Sequence, residues 1–212
     1  EKVGGYEAVR KVLKGMVPKA VTDLVKESNL KGRGGAGFFT GMKWSFVSLD
    51  APKSKYLIAN ADEMEPGTFK DRILLECTPH QLLEGMILAA FAIQADISYV
   101  YLRWAYKTAE HAITKAIAEA YEAGYLGKNI LDSGYDLEMH LHTGVGRYMC
   151  GEETALLNSL EGKRATPRAK PPFPQVSGLF GKPTIVNNVE TLCCLPHIIN
   201  NGADWFKGLS LT

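Results

Sequence analysis

Val9, Val12 and Leu13, and then Val21, Leu24 and Val25, recur three and four residues apart, which predicts two amphipathic helices over 6–13 and 18–30. A short helix is expected over 42–48. The run Lys55-Tyr56-Leu57-Ile58-Ala59-Asn60 reads as a strand that ends on a polar residue. Pro79 opens a helix from His80 to Gln94 that is apolar almost all round and therefore buried. Its stretch from Met86 to Ile93 is the longest clean apolar run, too short to cross a bilayer. Residues 97–102 read as a strand rich in β-formers and 107–121 as a helix. Leu137, Met139 and Leu141 alternate with Glu138, His140 and His142, the mark of a strand with one wet face. Residues 152–160 and 189–199 read as two further helices, the second a single long one. Strands alternating with helices predict a layered, Rossmann-like α/β fold with a mainly parallel sheet. A helical segment over 1–30 is expected to precede this 31–212 domain, with no internal repeat.

Composition narrows the classes. The 212 residues suffice for one large domain, and 46% hydrophobic with 22% charged content is ordinary for a globular protein. A net charge of +1 argues against a dedicated nucleic-acid surface. No basic and then apolar start marks a signal peptide. Cys77, Cys150, Cys193 and Cys194 form no C-x-x-C pair, which disfavours a self-contained zinc or iron–sulfur site and fits a reducing cytoplasm. The chain opens on Glu1 and stops in Gly-Leu-Ser-Leu-Thr, so a fragment of a longer protein is expected.

The densest chemistry lies at Gly32-Arg33-Gly34-Gly35-Ala36-Gly37-Phe38-Phe39-Thr40-Gly41, five glycines in ten residues, followed by Lys43-Trp44. Bare amides beside Arg33 and Lys43 suit phosphate, and Phe38, Trp44 and Phe46 suit a nucleobase or an isoalloxazine. Gly32, Gly34 and Gly37 satisfy G-x-G-x-x-G, but a helix and not a buried strand leads into them, so the context is not that of a Rossmann turn. The plain alternative is a flexible loop without a ligand.

Further constellations follow. Asn60-Ala61-Asp62-Glu63-Met64-Glu65-Pro66-Gly67 sets three carboxylates at a strand's carboxyl end, where open α/β sheets bind ligands. They could hold a metal, form an acid/base pair or accept ribose hydroxyls, the last fitting best beside a phosphate loop; the plain alternative is a solvated acidic turn. Gly144-Val145-Gly146-Arg147-Tyr148-Met149-Cys150-Gly151-Glu152-Glu153-Thr154 is a second glycine-rich turn from strand to helix, where Glu152 and Glu153 suit either anion-site architecture or simple capping. Asn187 and Asn188 open the last long helix and offer paired amide donors and acceptors to a heterocycle or phosphate; the plain alternative is Asn188 as its N-cap. His140 and His142 share a strand face without an evident third ligand. Five of the ten prolines, with Arg168, Lys170, Phe173 and Lys182, fall between Pro167 and Pro183, predicting an extended, stiff basic loop able to close over an anion.

Taken together, Lys31 to Phe38, Gly41 to Phe46, Asn60 to Arg72, Cys150 to Leu156, Pro171 to Pro174 and Val186 to Leu192 resemble the flavin-containing NADH-oxidising subunits of bacterial respiratory complex I. Diaphorase subunits of soluble NAD-linked hydrogenases and formate dehydrogenases share many of these motifs. The resemblance implies hydride transfer from NADH to non-covalent FMN, whose electrons pass singly to iron–sulfur clusters, and so an NADH dehydrogenase. Gly34, Gly35, Lys43, Asn60, Asp62, Gly151, Glu152, Asn187, Asn188 and Thr191 would contact FMN. Phe38, Phe46 and Phe173 would hold adenine, and Glu65, Tyr148, Glu153 and Lys170 would line the NADH site. Gly32, Arg33, Ala36, Gly37, Glu63 and Val186 complete the expected cofactor-binding set; no metal ligand and no catalytic side chain is expected.

The family's [4Fe-4S] cluster and ubiquitin-like domain are expected only in a C-terminal region outside this sequence. Implied partners are a thioredoxin-like [2Fe-2S] subunit and a large iron–sulfur subunit, with the protein on the cytoplasmic face of the inner membrane. Phe39 stands where the family commonly has Pro, Trp104-Ala105 where it has Gly-Glu, and Cys194 where Asn is usual. The competing class is a non-catalytic scaffold with a decayed site, against which the intact glycines, acidic loop and Asn pair argue.

Overall fold

A computed structural model describes residues 4–51, 54–144 and 146–209. Residues 1–3, 52–53, Val145 of the second glycine turn and residues 210–212 lie outside the described residues. Helices α1 (Glu7–Gly15) and α2 (Pro18–Glu27) lead through the glycine loop to α3 (Thr40–Trp44). Strand β1 (Tyr56–Ala61) is followed by α4 (Lys70–Cys77), α5 (Pro79–Ile93), β2 (Ile97–Leu102), α6 (Lys107–Glu122) and β3 (Glu138–Thr143). Then come α7 (Glu153–Leu160), α8 (Pro174–Ser177), β4 (Thr184–Asn188), α9 (Val189–Cys193), α10 (Leu195–Asn201) and α11 (Ala203–Gly208).

The four strands form one parallel sheet in the order β3-β2-β1-β4, so the fold is α/β with a mainly parallel sheet, as the pattern predicts. The chain builds outward from β1 to β2 and β3 and then returns to the other side of β1 with β4. That reversal makes the β1–β4 crevice the topological switch point, where such sheets bind ligands beyond the carboxyl ends of their strands. The register pairs Asn60, one residue before the end of β1, with Asn188 at the end of β4, so both amides lie at the carboxyl edge of the sheet.

Alternation along the strands divides the core. Leu57, Ala59, Val100, Met139 and Ile185 join the larger cluster, with Val9 and Val12 of α1, Val21 and Val25 of α2, all of Met86 to Ile93 except the partly buried Phe91, which packs against the cluster, and Ile198 of α10. Tyr56, Ile58, Tyr101 and Val186 face the smaller cluster with Cys150, Leu156, Leu157 and Leu179. One sheet face is thus covered deeply and the other thinly, which leaves a cleft above the thin side. His140 and His142 do share a face of β3. Each lies against a tyrosine ring of β2, Tyr99 and Tyr101, with centroids 5.3 and 5.5 Å apart.

Four local expectations are corrected. The single helix over 189–199 is two, α9 and α10, because Pro196 has no N–H to donate to Leu192 O. That carbonyl lies where α5 crosses, and a Cβ on Gly85 would sit 2.1 Å from it. Asn187 does not open the helix but lies in β4, a strand the sequence pattern does not predict between the proline-rich connection and that helix. That connection is not extended throughout, since α8 and a 3-10 turn at Leu179–Gly181 lie within it. Helices α4 and α11 are additional to those the sequence pattern predicts.

Candidate functional site

The glycine loop is pinned over the β1–β4 crevice from both sides. Gly32 N donates to Phe38 O at 2.8 Å, closing the loop, and Arg33 N donates to the Thr191 hydroxyl at 2.8 Å. A Cβ on Gly34 would meet Asn188 Cβ at 3.3 Å, a tight contact that glycine avoids, so the backbone lies close against the strand end. Gly35 (φ +109°) and Gly37 (φ +67°) supply left-handed turns. The loop follows α2 and not a strand, in agreement with the sequence context.

Two connected chambers of about 700 and about 930 Å³ open beneath and beside this loop, within the size range of ligand pockets. They share a wall made of Gly34, Asn60, Gly151, Glu152 and Asn188. The first is polar: Arg33, Gly35, Asp62, Glu63, Glu65 and Tyr148 line it, together with Lys70 and Asp71. The second is aromatic at its mouth, with Phe38, Phe46 and Phe173 each about half exposed. Gly32, Ala36, Gly37, Lys43, Glu153, Lys170, Val186 and Asn187 complete it, beside Gln175 and Val176. The structure therefore gathers every expected binding residue around one cleft except Thr191, which is fully buried below the loop that it holds.

The charges in the cleft are mostly answered. Glu153 accepts from Lys43 at 2.8 Å and Lys170 at 2.9 Å. Burial would raise its carboxyl, but the two lysines outweigh it and hold it below the usual range. Lys43 also donates to Val186 O at 2.9 Å. Glu152 caps α7, accepting from Thr154 N at 2.8 Å and Ala155 N at 2.9 Å; those bonds overcome its burial and lower its pKa. Glu63 caps α4 through Asp71 N and Arg72 N, at 3.0 and 3.1 Å, and accepts from the Tyr106 hydroxyl. Glu65 accepts from the Tyr148 hydroxyl. Asn60 donates to Gly151 O at 2.9 Å, and Asn187 accepts from Trp44 Nε1 at 2.9 Å, which fixes both amides.

Asp62 is the exception. It is 5% exposed, and neither carboxylate oxygen has a partner among the described residues. Burial pushes its pKa up to about 6, against the pull of Arg103. A buried carboxylate without a donor is costly, and one facing a chamber invites a ligand's N–H or O–H.

Some expectations dissolve here. Arg168 does not line either chamber; its guanidinium is tied to Glu161 at 2.8 Å, Asn158 at 2.9 Å and Gly178 O at 2.8 Å. Trp104, a departure from the family pattern, is half exposed with Lys107 over its ring, and its Nε1 closely covers Gly146. Among the described residues, no cluster of three His, Cys, Asp or Glu is placed to hold a metal. Lys70 and Asp71 carry no assignment from the sequence pattern, although they fall in the same conspicuous stretch as the acidic loop.

A family model described as the Nuo51 FMN-binding domain matches residues 25–197. Among curated proteins, the second F-type subunit of NADH-quinone oxidoreductase in Rhizobium meliloti (strain 1021) is 61% identical over 97% of this chain and 49% of its own length. The F-type subunit of NADH-quinone oxidoreductase in Escherichia coli (strain K12) is 58% identical over 97% of this chain and 46% of its own. The chain thus spans about half the length of the curated relatives it matches. A solved NAD+-reducing [NiFe]-hydrogenase in the H2-reduced state superimposes with a TM-score of 0.85 at 42% identity, covering 95% of this chain and 34% of that one.

Proposed function

Because the chain belongs to the Nuo51 FMN-binding domain family, we propose that its cleft binds FMN at the switch point and NADH across the aromatic mouth. The observation that carries this reading is one wall shared by a polar chamber, with an orphaned buried carboxylate, and an aromatic chamber flanked by cations. The residues fit the group. The glycine loop offers bare backbone packed closely on Asn188 at Gly34, and Asn60, Asn187 and Asn188 present amides near the strand ends. Asp62 offers an acceptor to a hydroxyl or a ring N–H. Lys43 and Lys170, now paired with Glu153, stand where phosphate oxygens can share them. Thr191 acts from below by holding the Arg33 amide.

FMN, when bound, supplies the exchange between the two-electron hydride of NADH and one-electron iron–sulfur carriers. The chain's part is orientation. Phe38, Phe46 and Phe173 offer flat faces to adenine, and Phe38 and Phe46 already lie 6.3 Å apart. Glu65 and Glu153 face the nucleotide's hydroxyls from the two chambers. No side-chain nucleophile is needed.

In the whole protein this activity would be that of the NADH dehydrogenase flavoprotein subunit of a respiratory NADH:quinone oxidoreductase. It would hand electrons to a thioredoxin-like [2Fe-2S] subunit and a large iron–sulfur subunit, on the cytoplasmic side of the inner membrane. Among the described residues, no helix is long and apolar enough to cross a membrane. The hydrogenase neighbour supports a second reading, a diaphorase subunit of a soluble NAD-linked enzyme. Identities of 58% and 61% to the quinone-oxidoreductase relatives, against 42% to that neighbour, favour the first. The test is a titration of the purified protein with FMN by fluorescence quenching, followed by NADH. Saturable uptake and bleaching of the flavin absorbance by NADH are expected; a protein that takes up no FMN overturns the proposal.

A further inference from the structure

Three segments that line the cleft are remote in sequence: the acidic loop after β1, the junction of β4 with α9, and the glycine loop. One set of side chains joins them. Glu63 of the acidic loop accepts from Asp71 N at 3.0 Å. Asp71 accepts from Asn188 Nδ2 at 2.6 Å and from Glu190 N at 3.3 Å, so it helps Asn188 to cap α9. Glu190 pairs with Arg33 of the glycine loop at 3.3 Å. Lys70 stands at the centre, 2.8 Å from Asp71, 2.9 Å from Glu190 and 3.4 Å from Asn188 Oδ1, on the wall of the polar chamber.

We propose that Lys70 is a positioning residue for the nucleotide site, holding the acidic loop, the strand end and the glycine loop in register through Asp71, Asn188 and Glu190. Two cations, Lys70 and Arg33, answer the three carboxylates Asp71, Glu190 and Glu63. Lys70 is the member that touches both Asp71 and Glu190. Without it, Asp71 and Glu190 keep like charges at one helix start, and Asn188 is left with its bond to Asp71 and the long cap bond from Thr191 N at 3.4 Å. Asn188 in turn lies against Gly34, so its displacement moves the loop where the two chambers meet.

The role has a signature in pH. Asp71 is 2% exposed; burial raises its pKa and Lys70 opposes that. The groups facing it are Lys70 on its own helix, Glu63 on the acidic loop, and Asn188, Glu190 and the Cys193 thiol on the β4–α9 side. When Lys70 is neutralised, two carboxylates remain near Asp71, and among the described residues no cation touches it. Asp71 then takes up a proton nearer neutrality and loses its acceptor strength toward Asn188.

The inference rests on the proposed flavin site, and the experiment keeps the two apart. FMN affinity by fluorescence quenching and amide hydrogen exchange over 31–37 and 188–191 are measured for wild type, Lys70→Met, Lys70→Gln and Lys70→Arg. Lys70→Met is expected to weaken FMN binding about tenfold or more, to lose further affinity as pH falls from about 8 to about 6, and to exchange faster at Arg33 and Glu190. Lys70→Arg restores most of each. Wild-type affinity and exchange in Lys70→Met overturn the proposal, and so does a loss that is the same at every pH and is not rescued by arginine. If Lys70→Met fails to fold, Lys70→Gln is judged by the same readings. A wild type that takes up no FMN sinks the flavin site, and the exchange data then decide the positioning role by themselves.

Discussion

Glu153 is bound to two lysines, Lys43 and Lys170, and Glu65 to one phenol, Tyr148. The two carboxylates proposed to face the nucleotide therefore differ in what their removal releases. A carboxylate accepts a ribose hydroxyl but repels a 2′-phosphate, and losing a charged hydrogen bond costs about 1.5–3 kcal/mol. Selectivity for NADH over NADPH of about tenfold or more follows. Glu65→Gln is expected to narrow that ratio with little other change. Glu153→Gln is expected to narrow it further, because two freed lysines attract the extra phosphate. The ratio of kcat/KM for the two nucleotides with an artificial electron acceptor checks both; a ratio unchanged in both variants moves discrimination to Lys170 itself, since Arg168 is tied to Glu161.

Asp62 carries the opposite trade. Its pKa rises from 3.8 to about 6 on folding, so between those values the folded protein holds a proton that the unfolded chain has released. Its contribution is intact below about pH 4 and is lost as pH rises through about 6, for as much as about 3 kcal/mol. Asp62→Asn removes this slope. Without ligand, the variant is expected to match wild type near pH 4 and to be the more stable protein at pH 7, while binding FMN more weakly. Thermal melts from pH 4 to 8 with and without FMN test it; identical pH profiles for the two proteins refute it.

Among the elements, the tightest crossing is α5 against α9. Alanine for an ordinary helical glycine gains about 1 kcal/mol. Gly85 should behave in the reverse sense, because a Cβ there would lie 2.1 Å from Leu192 O, a backbone atom. Gly85→Ala is expected to cost about 1–3 kcal/mol or more by pushing α9 off α5. It should also weaken FMN binding, because α9 carries Thr191 under the glycine loop and begins at Asn188. Urea denaturation and flavin titration measure the two effects. A variant as stable as wild type would show that this crossing is loose. The same contact explains why one apolar run became two helices: the proline that ends the first frees the carbonyl over which the glycine passes.

At the scale of the whole molecule, the apolar layer supplies rigidity and the cleft carries the cost of an uncompensated charge. Ligand binding to the folded state alone should recover that cost. At about 100 times its dissociation constant, FMN stabilises by about 2.7 kcal/mol, or roughly 5–10 °C in Tm for a chain of this size. Differential scanning fluorimetry with FMN and with riboflavin separates the phosphate's share; no shift with either would contradict the proposed site.

The runs of Tyr56 to Ala61 and Ile97 to Leu102, the alternation of 137–142 and the buried helix over 79–93 were legible because burial dictates which residues are apolar. The glycine loop, the acidic loop and the Asn pair were legible because each holds its chemistry within a few residues. Strand β4 was not: five residues after a proline, ending in two asparagines, show little hydrophobic pattern until β1 pairs with them. Nor was α4, whose polar first turn is capped by Glu63 from the preceding loop. The sequence alone determined the α/β class and which segments line the cleft. Tertiary structure decided that Glu63 caps, Arg168 braces, Thr191 supports and Lys70 joins three loops, because each role is set by a partner reached through space, 117 residues away in the case of Asp71 and Asn188.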